Sequence, residues 1–115
     1  MTEARINGIL GLAQKAGRLA SGDAGVKEAL QNKTAVLLII AEDAAPNTVK
    51  ELQFLAEKQS LETLRGLTRT EMGACIGKAP RAAVAVLDKG FAGLIKSKSK
   101  AWIDLEVLHG QETNF

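Results

Sequence analysis

Two short stretches of this chain are apolar without a break. Ala35–Ala41 reads AVLLIIA and Ala82–Leu87 reads AAVAVL. Neither alternates polar with apolar residues, so each must be buried on both faces. A strand buried on both faces belongs inside a sheet that helices cover from either side. The longer run is also far below the roughly 20 residues that a bilayer span requires.

The segments around the two runs have helical spacing. In ARINGILGLAQKAG, Ile6, Ile9, Leu10, Ala13 and Ala16 recur at intervals of three and four, and Gly17 follows as a stop signal. RLAS is short and extended. Ser21–Asp23 (SGD) reads as a helix start with short oxygen-bearing side chains, and Val26, Ala29 and Leu30 face inward from the helix it opens. Thr48 and Glu51 have the T-x-x-E spacing of a capping box, ahead of a helix that buries Val49, Leu52, Leu55 and Ala56. ETLRGL reads as a strand. Thr68 and Glu71 form a second T-x-x-E box before RTEMGACIG, and Pro80 prevents continuation. Asp88 caps KGFAGLIKSKSK. The order α-β-α-β-α-β-α-β-α predicts an α/β protein, a three-layer α/β/α sandwich with a central mixed sheet of about four strands. Residues 1–98 form a single domain in this reading, and 99–115 a tail or an extra strand.

The 115 residues suit one domain. The only aromatics are Phe54, Phe91, Trp102 and Phe115, so the core is aliphatic. One cysteine, Cys75, excludes an internal disulfide and a Cys-rich zinc site. The N-terminus lacks the order of a secretory signal, and a cytoplasmic protein is expected. Net charge is only +2, but residues 78–100 hold six basic groups against one acidic, and the last fifteen hold three acidic and none basic. Such a local excess can attract polyanions.

Enzyme chemistry finds little purchase. EMGACIGKAPR, Glu71–Arg81, resembles a phosphate loop only superficially. A Walker A loop needs four residues between its glycines and Ser or Thr after the lysine. Here Gly73 and Gly77 are separated by three, and Ala79 follows Lys78. His109 has no partner pattern, Cys75 reads as a buried inert thiol, and Glu42 and Asp43 point apart on an extended chain. No catalytic residue, metal, cofactor or small-molecule substrate is expected.

The spacing of LGLAQKAGRLASG, LLIIAEDAAPNT and RTEMGACIGKAPRAAVAVLDKGF resembles the superfamily of ribosomal protein L seven Ae and L thirty e, and most closely its bacterial YlxQ-like branch. The resemblance covers about Ile9 to Ile95. It implies a non-catalytic RNA-binding protein of ribosomal type that recognises structured, bent or looped RNA, typically the kink-turn. It implies three contact regions: the helix start at Gly22–Glu28, including Asp23, Gly25 and Lys27; the loop at Glu42 and Asp43; and the loop at 74–81. In the last, Ile76 would cover an extruded nucleotide and Gly77 would allow close backbone approach. Kink-turn binders read G-x-[NK]-[EQ]-x-x-K at the first region, whereas this chain has Ala24, Gly25 and Glu28 at the three variable contact positions. Recognition by shape and phosphate is therefore expected, through Arg18, Lys27, Lys33, Lys78 and Arg81. The alternative is a protein-interaction module that kept the fold, with residues 101–115 docking a partner or a second copy.

Overall fold

A computed structural model of the chain describes residues 2–99 and 103–104. Its elements are α1 (Thr2–Lys15), β1 (Leu19–Ser21), α2 (Asp23–Gln31), β2 (Leu37–Ile40), α3 (Pro46–Glu57), β3 (Thr63–Arg65), α4 (Arg69–Cys75), β4 (Ala83–Val86), α5 (Lys89–Lys98) and β5 (Ile103–Asp104). The sheet order is β1-β4-β2-β3-β5. Only β2 and β3 run parallel; the other neighbours are antiparallel. The mixed α/β architecture expected from the sequence is thus present. The sheet gains a two-residue fifth strand from the segment expected to be a tail or extra strand. The rest of that segment beyond Ser99, with His109, lies outside the described residues.

Both apolar runs form the middle of the sheet, and all eight residues of β2 and β4 are buried. Side chains alternate across a strand, so each run feeds two cores. Leu37, Ile39, Val84 and Val86 pack with Ile6 and Leu10 of α1, Met72 and Ile76 near α4, and Ala92 and Ile95 of α5. Leu38, Ile40, Ala83 and Ala85 pack with Val26, Ala29 and Leu30 of α2 and Leu52 and Ala56 of α3. Ala16, expected on the inner face of α1, is exposed because the helix ends at Lys15.

The helix starts differ from expectation at two places. Helix α3 begins at Pro46, with Ala45 at its N-cap and no side-chain cap. Proline at the first helical position supplies a fixed φ and has no N–H to satisfy. Thr48 therefore lies inside the helix, and Thr48–Glu51 is not a capping box. Helix α2 is preceded by Gly22 at φ 84° and ψ 157°, and no side chain accepts a bond from its first turn. The Thr68–Glu71 box and the Asp88 cap behave as read. Thr68 accepts from the Glu71 amide while Glu71 accepts from the Thr68 amide, and Asp88 accepts from the Phe91 amide at 3.0 Å.

Helices α1 to α4 all end with the same pair of reversed hydrogen bonds. After α4, the Lys78 amide donates to the Gly73 carbonyl and the Gly77 amide to the Ala74 carbonyl. This is the Schellman arrangement, with Gly77 at φ 71° in the left-handed region. Corresponding bonds place Gly17, Lys33 and Ser60 after α1, α2 and α3. Two of the four positions thus hold a side chain where glycine is favoured.

The caps give a direct test. Thr68→Ala should cost about 1 kcal/mol in urea unfolding. Thr48→Ala should fall within about 0.5 kcal/mol of the parent, because no cap is lost. Equal losses would contradict the assignment of the two helix starts.

Candidate functional site

The strand register gathers three loops at one end of the sheet. Ser21 pairs with Val84, and Ile40 with both Ala83 and Arg65. The outgoing ends of β1, β2 and β3 therefore meet the incoming end of β4. Gly22 and α2 leave from the first, Ala41–Ala45 from the second and Gly66–Thr68 from the third, while residues 76–82 arrive at β4. Backbone bonds tie these loops together: the Ala41 amide donates to the Ala82 carbonyl at 2.8 Å, and the Arg81 amide to the Arg69 carbonyl at 3.1 Å.

The middle loop is held firmly. The Glu42 amide donates to the Leu67 carbonyl, and Arg65 donates from Nη2 to the Glu42 carbonyl at 3.1 Å. The Asp43 carboxylate accepts from the Arg69 amide at 2.8 Å and lies 3.8 Å from Arg69 Nε. Asp43 thus caps the first turn of α4. The Glu42 side chain remains exposed.

Between the loops lies an open cleft of about 550 Å³. Gly22, Asp23 and Lys27 of α2 line one wall, Asn47, Thr48 and Glu51 of α3 another, and Pro80, Arg81 and Ala82 the third. Gly22 occupies a backbone region that other residues avoid, and a Cβ there would come within 4.0 Å of Arg81 Nε. Arg81 donates to the carbonyls of Ala79 at 3.2 Å and Pro80 at 3.4 Å, and its Nε is buried without a partner. Guanidinium and helix start are thereby placed side by side.

Lys27 is already engaged. Its ammonium lies 2.7 Å from Glu51 and 3.1 Å from Asp23. Hydrogen bonds first to Glu51 and then to Asp23 hold its pKa above the ordinary lysine range. Two carboxylates therefore compete with any anion for this cation. Asp23 also sits in the first turn of α2, where the helix dipole favours negative charge.

The loop at 76–81 doubles back over α4. A Cβ on Gly73 would stand 2.2 Å from the Ala79 carbonyl oxygen and 2.9 Å from that of Lys78. The return path exists because position 73 has no side chain. Ile76 is 7% exposed and belongs to the core. The loop's exposed surface is Ala74, Gly77, Lys78, Ala79 and Pro80. The Cys75 thiol donates to the Met72 carbonyl at 3.1 Å, and burial pushes its pKa up, away from a reactive thiolate.

Apart from the buried Ile76, the residues singled out in the sequence fall into two groups. Gly22, Asp23, Gly25, Lys27, Glu42, Gly77, Lys78 and Arg81 share one end of the sheet. Arg18 and Lys33 lie at the other end, beside Leu87 and beyond the last turn of α2. Sequence reasoning missed Glu51, Asn47 and Gly73. The first two become visible only when α2 and α3 are packed together; the third requires the path of the returning loop. Among the described residues no cluster of His, Cys, Asp and Glu could hold a metal ion, and no helix is long and apolar enough to cross a membrane.

These features define an α/β/α sandwich with its loops clustered at one sheet end. The profile of the ribosomal protein L7Ae/L30e/S12e/Gadd45 family matches residues 4–95, and the chain belongs to that family. It is 35% identical over 89 residues to the RNA-binding protein YlxQ of Bacillus subtilis (strain 168), covering 77% of this chain and 89% of that protein. It is 30% identical over 84 residues to the RNA-binding protein YlxQ of Enterococcus faecium, covering 73% and 81% respectively. Among solved structures, a protein of unknown function from Bacillus halodurans superposes with a TM-score of 0.78 at 30% identity, over 83% of this chain and 96% of that one. The 15.5kD RNA binding protein of Giardia lamblia shares the fold, with a TM-score of 0.71 at 14% identity, over 84% of this chain and 83% of that one.

Glycine replacement tests the loop path. Gly73→Ala should cost about 1–3 kcal/mol through overpacking and should shift the backbone amide signals of residues 78–81. Gly25→Ala has no neighbour within 4 Å to meet; it should be neutral or stabilising by up to about 1 kcal/mol. Similar behaviour of the two variants would contradict the close crossing at Gly73.

Proposed function

We propose that this chain is a non-catalytic, cytoplasmic RNA-binding protein that recognises bent or looped RNA by shape and phosphate, at the sheet end holding Gly22, Glu42 and the 76–81 loop. The observation that carries this reading is the convergence of an uncapped helix start, the exposed Lys78 and the partly buried Arg81 at that end. A helix N-terminus offers free N–H groups and a positive dipole end to an anion. Gly22 leaves the approach to it open. Membership of the family and the likeness to the two YlxQ RNA-binding proteins support RNA as the ligand.

Base reading at α2 has few means. Ala24 and Gly25 offer no side-chain hydrogen-bonding groups, and Glu28 repels phosphate. Bidentate base contacts contribute about 1–3 kcal/mol of discrimination each, so this chain depends on the fold of its target. RNA is commonly recognised in this way, through backbone, 2′-hydroxyls and splayed nucleotides. A kink-turn is a suitable target because its sharp bend brings phosphates to one side. At the 76–81 loop, Ile76 supports from the core, and the small exposed residues with the backbone at Gly77 meet the RNA.

Binding should be measured against a kink-turn RNA and a straight duplex of equal length over a salt series. The kink-turn should bind more tightly. Lys78→Ala and Arg81→Ala should each lower the slope of log affinity against log salt by about 1. Glu51→Gln frees Lys27 from one of its two carboxylates and should raise affinity several-fold at low salt. Equal affinity for both RNAs would contradict shape recognition, and no binding to either would overturn the reading.

A further inference from the structure

We propose that the sheet end opposite these loops is a second contact surface for RNA phosphate, built from Lys15, Arg18, Lys33 and Lys89; the inference rests on the reading that the chain binds RNA. The register brings the four together. The Leu87 amide donates to the Arg18 carbonyl at 2.9 Å, and the Val36 amide to the Val86 carbonyl at 2.8 Å. Lys89 follows Leu87 by two residues, Lys15 precedes Arg18 by three, and Lys33 precedes Val36 by three. All four side chains are exposed, and among the described residues none is ion-paired. Lys27, Arg69 and Lys96, by contrast, pair with carboxylates elsewhere. The carboxylates nearest the group are fewer than its cations: Asp88 is turned to the Phe91 amide at the start of α5 and keeps its charge, Glu62 pairs with Lys96, and Glu28 lies more than one helical turn before Lys33.

Lys33 adds a second observation. It holds the left-handed position after α2 at φ 58°, where glycine is favoured. Its side chain is thus presented beyond the helix end at some cost to backbone stability. The nine residues of α2 rise about 14 Å, so the two basic ends are too far apart for one phosphate cluster. They suit two segments of one structured RNA, such as a bend and a stem that continues past it.

The test uses the full chain and two RNAs with the same bent internal loop, one with stems of about five base pairs and one with stems of about sixteen. The parent should bind the long-stemmed RNA more tightly and with a steeper salt slope. The variant with Lys15→Gln, Arg18→Gln, Lys33→Gln and Lys89→Gln should lose at least tenfold in affinity for it, with the slope reduced by up to about 4, and change under twofold for the short one. Lys33→Gly alone should raise the melting temperature while weakening long-stem binding. A merely structural role would not move the two in opposite directions. The proposal is overturned if the fourfold variant binds the long-stemmed RNA like the parent, including the case where it loses affinity only for an acidic peptide or anionic vesicles, or if the parent binds neither RNA. Binding to the long-stemmed RNA alone, lost in the fourfold variant but kept in Lys78→Ala with Arg81→Ala, would sustain this surface and refute the proposed site at the other end.

Discussion

The antiparallel pairing of β2 with β4 is the contact on which the rest of the molecule depends. Eight sheet positions in two runs of four, Leu37–Ile40 and Ala83–Val86, are buried on both sides. Their backbone groups are satisfied by each other and by β1 and β3, and their side chains divide between two aliphatic cores. With so few aromatics, neither core has a dominant large side chain. Stability comes from many Leu, Ile, Val and Ala contacts packed closely. The covering helices pack on this strand pair and on one another, α1 with α4 and α5 on one face and α2 with α3 on the other, so the strand pair sets where each helix layer sits.

The same pairing decides where polar groups can go. Nothing charged can occupy the faces of a doubly covered sheet, so the ionic residues collect at its ends and on the outer helix surfaces. At one end the outgoing strands release three loops around a cleft, and the returning loop before β4 closes it through Arg81. There the charges are mixed, since Lys27 is held between Asp23 and Glu51. At the other end α1, α2 and α3 finish on left-handed residues, and the exposed charge is mainly positive. One sheet thus separates a cleft that offers helix start and loop backbone from an edge where exposed cations predominate.

Much of this was legible before any coordinates. The two apolar runs carried the sandwich, and Thr68–Glu71 and Asp88 marked true helix starts because their oxygen atoms stand at the right offset from free amides. Thr48–Glu51 has the same offset but fails, since Pro46 begins the helix two residues earlier and leaves Thr48 no orphan amide to cap. The SGD start was found, yet its cap is a glycine in a backbone region closed to its neighbours. The clustering of Gly22, Glu42 and Arg81 followed from topology that the family resemblance supplied. The separation of Arg18 and Lys33 from that cluster did not, because basic residues carry no local sign of the sheet end they will reach. Ile76 shows the same limit: its place in a loop suggested exposure, while the turn at Gly77 directs its side chain into the core.

Contact between RNA and the sheet end carrying Gly22, Glu42 and the 76–81 loop can be tested residue by residue. The most direct measurement is a titration of isotopically labelled protein with a bent RNA, followed through backbone amide signals. The account predicts the largest shifts at residues 22–25, 42–43 and 77–82. Shifts confined to the outer helix surfaces, around the exposed Leu12, Phe54 and Leu94, would contradict it.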